Sequence, residues 1–218
     1  MTILSQYDLW LFDCDGVILQ SNQIKSQTMY QVALHFSDEK TAKTFQQYHQ
    51  INAGFTRFKK FTCLFETLLN RQSFEDDYQK ALMMFSQMCM EQLIECPLTA
   101  NAEKLLTQIP ENNHKYIISA ASETDLQHIF SEKELDHLFT DIYGGPRTKT
   151  EIFADVLARY PNAKPIFFGD AKADYLVAEK YNVDFVFLSD YTDFPDWKAY
   201  FRQKNNVKII KNFSGLFV

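Results

Sequence analysis

The sequence of 218 residues contains no apolar run approaching the roughly 18 residues that suggest a membrane span. No Lys or Arg occurs before Lys25, so the basic start of a secretory signal is missing. The four cysteines, Cys14, Cys63, Cys89 and Cys96, form no Cys-x-x-Cys pair, which removes the spacing of a zinc site or a redox pair. These absences predict free thiols, a cytoplasmic location and no membrane partner. Positive charge is also short. Lys and Arg number 22 against 28 Asp and Glu, a net charge of −6. That balance argues against a broad basic face for nucleic acid and suits a divalent cation better. Neither repeats nor low-complexity segments occur. The remainder, 46% hydrophobic and 23% charged, is ordinary for a globular chain. The length allows one large domain, or one carrying a smaller insert, with a core that needs no disulfide or metal.

Five short apolar runs read as buried strands, at 9–12, 116–119, 142–143, 166–168 and 185–188, with a weaker sixth at 207–210. Continuous apolar runs suit strands covered on both faces, as in a parallel sheet. Helical patterns separate the later runs. Leu126, Ile129 and Phe130 share a face, with Ser122 and Asp125 spaced as a capping box. Ile152, Phe153, Val156, Leu157 and Tyr160 make another face, stopped by Pro161, and 176–181 is short and helix-like. Strand and helix alternate, which predicts an α/β, doubly wound, Rossmann-like parallel sheet.

Between the first run and Pro97 lie about 80 residues with no convincing strand, too many for a crossover loop. Met29, Val32, Ala33 and Phe36 share one helix face, and Phe58, Phe61, Phe65, Leu68 and Leu69 share another. A third pattern spans 78–93. We therefore expect a core of residues 1–20 and 97–218, with residues 21–96 inserted as a helical cap.

Ligands of α/β sheets sit beyond the carboxyl ends of the strands. Asp13-Cys14-Asp15-Gly16 follows the first run, and Ser119-Ala120-Ala121-Ser122 ends the second. Gly144-Gly145-Pro146-Arg147-Thr148-Lys149 follows the third, and Gly169-Asp170, with Asp174 four residues on, follows the fourth. Taken singly, these could be a turn, a small core residue, a solvated lysine and a helix cap. Taken in order, they fit phosphoryl transfer. Crowded carboxylates need a divalent cation, and hard oxygen ligands suit Mg²⁺. A carboxylate can attack phosphorus, and a second can move the proton. A hydroxyl with nearby amides can hold phosphate oxygens, and a lysine can neutralise charge.

These motifs resemble those of the haloacid dehalogenase superfamily: Leu11 to Ile18 its first, Ser119 its second, Lys149 its third, and Gly169-Asp170 with Asp174 its fourth. The resemblance covers the whole chain and includes a helical cap after the first motif. It implies Asp13 as nucleophile and Mg²⁺ ligand, and Asp15 as general acid/base with its backbone carbonyl on the metal. It implies Ser119 and the Ala120 amide on the phosphoryl group, and Lys149 orienting Asp13 and the phosphate. Asp170 would ligate Mg²⁺, and Asp174 would ligate it or hold one of its waters. Gln20-Ser21 departs from the acidic residue and Ser common in the family, which points to altered flap or cap contacts.

Within that superfamily an Asp two residues after the nucleophile marks enzymes that protonate a leaving alkoxide. The implied activity is a Mg²⁺-dependent phosphatase on a small phosphorylated metabolite. The alternatives are a phosphomutase and a non-catalytic binding protein on the same fold. Gly54-Phe55-Thr56-Arg57, with Lys60-Phe61, resembles a pattern from a branch linked to surface-sugar synthesis, which suggests a sugar phosphate. Arg57 and Lys60 are the candidate substrate-binding residues, the alternative for both being a solvated helix face. Phe55, Phe58, Phe61 and Phe65 read as cap core.

Overall fold

The computed structural model describes residues 5–204 and 206–217. Strands β1 (Leu9–Phe12), β2 (His114–Ser122), β3 (Asp141–Gly145), β4 (Pro165–Gly169), β5 (Asp184–Leu188) and β6 (Val207–Ile210) form one parallel sheet, in the order β3-β2-β1-β4-β5-β6. All six apolar runs are strands, and the α/β doubly wound expectation holds. Side chains alternate between two cores, as a period of two requires. Trp10, Phe12, Ile117 and Phe168 face one side, while Leu9, Leu11, Tyr116 and Phe167 face the other.

Four helices lie between β1 and α5 (Ala102–Gln108): α1 (Asn22–Phe36), α2 (Glu39–Ile51), α3 (Arg57–Thr62) and α4 (Glu75–Glu95). Their buried residues, including Met29, Phe45, Phe61 and Phe85, continue the first core. The chain leaves and re-enters the sheet through two linkers bound to each other. The Gln20 amide donates to the Pro97 carbonyl, and Gln20 Nε2 to the Leu98 carbonyl. Gln20 thus bonds the return linker.

Two sequence expectations need correction, and one helix had not been anticipated. The face of Phe58, Phe61, Phe65 and Leu68 is not one α-helix: α3 passes into a π-helical turn over Cys63–Leu68. The wider turn, with the Leu69 amide bonded to the Leu64 carbonyl, keeps both Leu64 and Phe65 buried. α2 carried too weak an apolar signal to be named. Asp38 caps it at the Thr41 amide, and Ala42, Phe45 and His49 bury one narrow face. The capping box of Ser122 and Asp125 does not form at α6 (Glu123–Glu132). Ser122 pairs with Thr124, and Asp125 goes to Arg57 instead, because a guanidinium outcompetes a neutral backbone donor.

The sheet is completed by α7 (Lys149–Arg159), α8 (Lys172–Tyr181) and α9 (Trp197–Phe201). Among the described residues no helix is long and apolar enough to cross a membrane.

Candidate active site

The carboxyl end of β1 lies between those of β2 and β4, with Phe12 in register with both Ile117 and Phe168. The residues after these strands therefore converge. The Asp13 amide donates to the Phe168 carbonyl, so β4 holds the backbone from which the Asp13 carboxylate projects. That carboxylate accepts from the Cys14 amide at 2.7 Å and lies 2.8 Å from Lys149 Nζ. Lys149 is the first residue of α7, whose entry is fixed by a capping box between Thr148 and Glu151. Its ammonium also sits 2.6 Å from Asp174 Oδ1. Asp174 Oδ2 accepts the amides of Asp170 and Ala171, so that carboxylate is already engaged on both oxygens.

The glycine of Asp-x-Asp-Gly has a specific cause. Gly16 has φ +72°, and a Cβ there would lie 2.3 Å from Asp170 Oδ2. Only glycine lets the loop turn back this close to the second acidic motif. Asp13, Asp170 and Asp174 are all buried, and one oxygen of each lies within 4.8 Å of the others. Burial pushes the Asp13 carboxyl up to about 7, with Asp174 and Asp15 adding and Lys149 opposing. Burial also pushes Asp170 well above the carboxylate range, reinforced by Asp13 and Asp174. One ammonium does not balance this cluster. A divalent cation would, and the donor set is all oxygen, so the residues fit Mg²⁺. Ser119, 1% exposed, and Ala120 line the same cavity, and Ser119 Oγ accepts the Ala121 amide.

The sequence from 10 to 188 matches the model of the haloacid dehalogenase-like hydrolases. The chain belongs to that family. No curated protein matches it. Among solved structures, a Lactobacillus plantarum protein provisionally described as a phosphoglycolate phosphatase superposes with a TM-score of 0.72 at 15% identity, covering 100% of this chain and 99% of that one. A β-phosphoglucomutase from Clostridium difficile gives 0.71 at 18%, covering 94% and 92%. Bacillus subtilis YfnB, provisionally described as a HAD-hydrolase and crystallised with magnesium bound, gives 0.67 at 16%, covering 97% of each chain. At these identities the likeness is one of fold.

The motif residues expected of this hydrolase are thus brought together: Asp13, Asp15, Ser119, Lys149, Asp170 and Asp174. Asp15 departs from the expected picture in its partners. Lys25 Nζ lies 2.5 Å from its Oδ1 and 2.7 Å from its Oδ2, and Ser21 Oγ donates at 2.5 Å. Burial opposes ionisation of Asp15, yet the Lys25 charge and these hydrogen bonds hold the carboxyl below its ordinary value. Sequence reasoning missed Lys25 and also Asn22, whose Nδ2 donates to Asp170 Oδ2 and to the Tyr191 carbonyl. Both lie within one helical turn of Ser21, directly after the first motif, and that spacing was the available signal.

Arg57 and Lys60 also line this cavity, and neither is a solvated surface charge. Arg57 pairs with Asp125 and donates to Ser86 at 2.6 Å, while its Nε is buried without a partner. Lys60 is 3% exposed and hydrogen-bonded to His49 Nδ1 at 2.9 Å. Gly54 explains how the preceding loop reaches the core: a Cβ there would lie 2.1 Å from Ala173 Cβ.

Proposed function

We propose that this hydrolase is a Mg²⁺-dependent phosphatase of small phosphomonoesters, acting through an aspartyl-phosphate on Asp13. Residues 21–96 would form the cap over a catalytic core of 1–20 and 97–218. The observation that carries the reading is the placement of Asp13. Its carboxylate is oriented by Lys149 and the Cys14 amide at the open end of β1, beside Asp170 and Ser119.

In the first step an Asp13 oxygen bonds to phosphorus as the ester P–O bond breaks. In the second, water attacks the same phosphorus, Asp13 is freed and inorganic phosphate leaves. Lys149 favours the ionised form of Asp13 against burial and neutralises charge developing on the phosphoryl oxygens. Ser119 and the Ala120 amide hold those oxygens. Asp15, kept a carboxylate by Lys25, is in the state needed to deprotonate the water. To protonate the leaving oxygen it must first turn from Lys25 and carry a proton. Asp13 and Asp170, with the Asp15 carbonyl, would hold the Mg²⁺, with Asp174 fixing Lys149 and the Asp170 loop. When bound, the cation supplies charge neutralisation at the phosphoryl group.

The test is release of inorganic phosphate from a panel of phosphorylated metabolites and aryl phosphates with Mg²⁺. Release that requires Asp13 supports the reading. Isomerised sugar phosphate without release would make the enzyme a phosphomutase, and a silent panel would refute both.

A further inference from the structure

Four basic side chains other than His49 line the cavity around Asp13, and three have carboxylate partners. Lys149 is paired with Asp13 and Asp174, Lys25 with Asp15, and Arg57 with Asp125. Lys60 has none. Among the described residues its hydrogen-bond partner is His49, itself 8% exposed. Asp15 and Asp193 act on Lys60 through space, opposed by Lys25 and Lys149, and neither carboxylate is within ion-pair distance. Burying an ammonium against an imidazole is unfavourable unless something else supplies negative charge. Asp193 lines the same cavity but makes no ion pair with Lys60 among the described residues, and Met29, Phe85, Met90, Leu93 and Leu126 give part of the lining an apolar character.

We propose that Lys60 and His49 receive a negatively charged end of the leaving group, so that the substrate is the phosphate ester of a small acid. The phosphoryl group would lie at Asp13, Ser119 and Lys149, and the second anion at the cap pair, with an apolar body against the walls. This inference rests on the phosphatase reading. Burial first, with Lys25 and Lys149 adding, pushes Lys60 down to about 7. Burial and Lys60 together push His49 well below its ordinary value. An arriving anion would reverse the balance for Lys60, which would take up a proton and form a charge-assisted hydrogen bond in a low-dielectric pocket.

The magnesium-loaded protein is assayed with O-phospholactate, its uncharged amide and p-nitrophenyl phosphate. A preference for the acid over the amide of roughly 10- to 100-fold in kcat/KM is expected, the range for hydrogen bonds to charged groups. Lys60→Met should bring that ratio toward one, and Lys60→Arg should keep part of it. Replacing the carboxylate by a second phosphate, in propane-1,2-diol bisphosphate, shows which anion is preferred; a preference for either charged ester supports the proposal. Turnover of the aryl ester with equal turnover of charged and uncharged substrates overturns it and leaves the phosphatase reading intact. A binding measurement stands apart from turnover. Lactate should raise the titration midpoint of the Lys60 side chain, followed by carbon NMR, and lactamide should not. A midpoint unmoved by lactate also overturns the proposal, even where no ester is hydrolysed.

Discussion

Arg57 on α3 is ion-paired with Asp125 on α6, so a helix that follows β1 is fastened to one that follows β2. The contact is largely sheltered, with side-chain exposures of 13% and 21%. Both residues line the cavity around Asp13. The arrangement also changes what Arg57 can offer a ligand, because Asp125 and Ser86 already accept from its Nη1.

Replacing Asp125 by Ala leaves the Arg57 guanidinium sheltered with one acceptor fewer. Stability should fall by about 1–3 kcal/mol, the penalty for a buried donor left unsatisfied. The double variant Arg57→Leu, Asp125→Ala should recover part of the loss. Denaturant unfolding of the singles and the double measures the coupling. Additive losses would mean that the two residues do not stabilise each other.

Asp13→Asn keeps the shape of the side chain but removes the nucleophile. Turnover should drop by several orders of magnitude with the circular dichroism spectrum unchanged. No phosphoenzyme should be trapped by acid quenching. Near-normal turnover would exclude an aspartyl-phosphate on Asp13.

Chelation should abolish phosphate release, and Mg²⁺ should restore it. Ca²⁺ should restore it poorly, since it takes more ligands at longer and less regular distances than Asp13 and Asp170 are set to provide. Assays after exhaustive chelation, with each cation added back, decide the point. Full activity without any divalent cation would count against the metal roles of both residues.

Lys60 makes stability depend on pH in a definite direction. Its folded value of about 7 lies below the ordinary 10.5. Between these values the unfolded chain binds more protons than the folded one, so the Lys60 contribution to stability rises with pH across that window. Lys60→Met should therefore have the higher Tm at pH 6, with its advantage over the parent shrinking toward pH 9. Thermal unfolding of both proteins at several pH values tests this. A constant difference would show that Lys60 does not titrate in that range.

The order of the motif residues was legible in the sequence because each follows an apolar strand, and parallel strands deliver their carboxyl ends to one edge. Asp13, Ser119 and Asp170 needed no more than this. Lys149 needed the helix start after Thr148, which local capping chemistry also marks. Gly16 could be seen as a turn residue, but its reason lies 154 positions away, in the Asp170 carboxylate that fills the space where a Cβ would go. The π-helical turn was hidden because Phe58, Phe61, Phe65 and Leu68 satisfy ordinary helical spacing, and only packing decides which winding buries both Leu64 and Phe65.

Periodicity and strand-end chemistry, both local in the chain, determined the sheet, the helices between β1 and α5 and the motif residues gathered at the strand ends. Partner choice was decided only by tertiary structure, since a charged side chain can satisfy many neighbours and its sequence position names none of them. Asp125 looked like a helix cap and became the acceptor of Arg57. Asp15 became bound to Lys25. Lys60 looked like a candidate for the cleft or for solvent, and folding buried it against His49, with no carboxylate among the described residues in ion-pair distance. Desolvation made each of those outcomes consequential, and it acts only once the helices between β1 and α5 have packed.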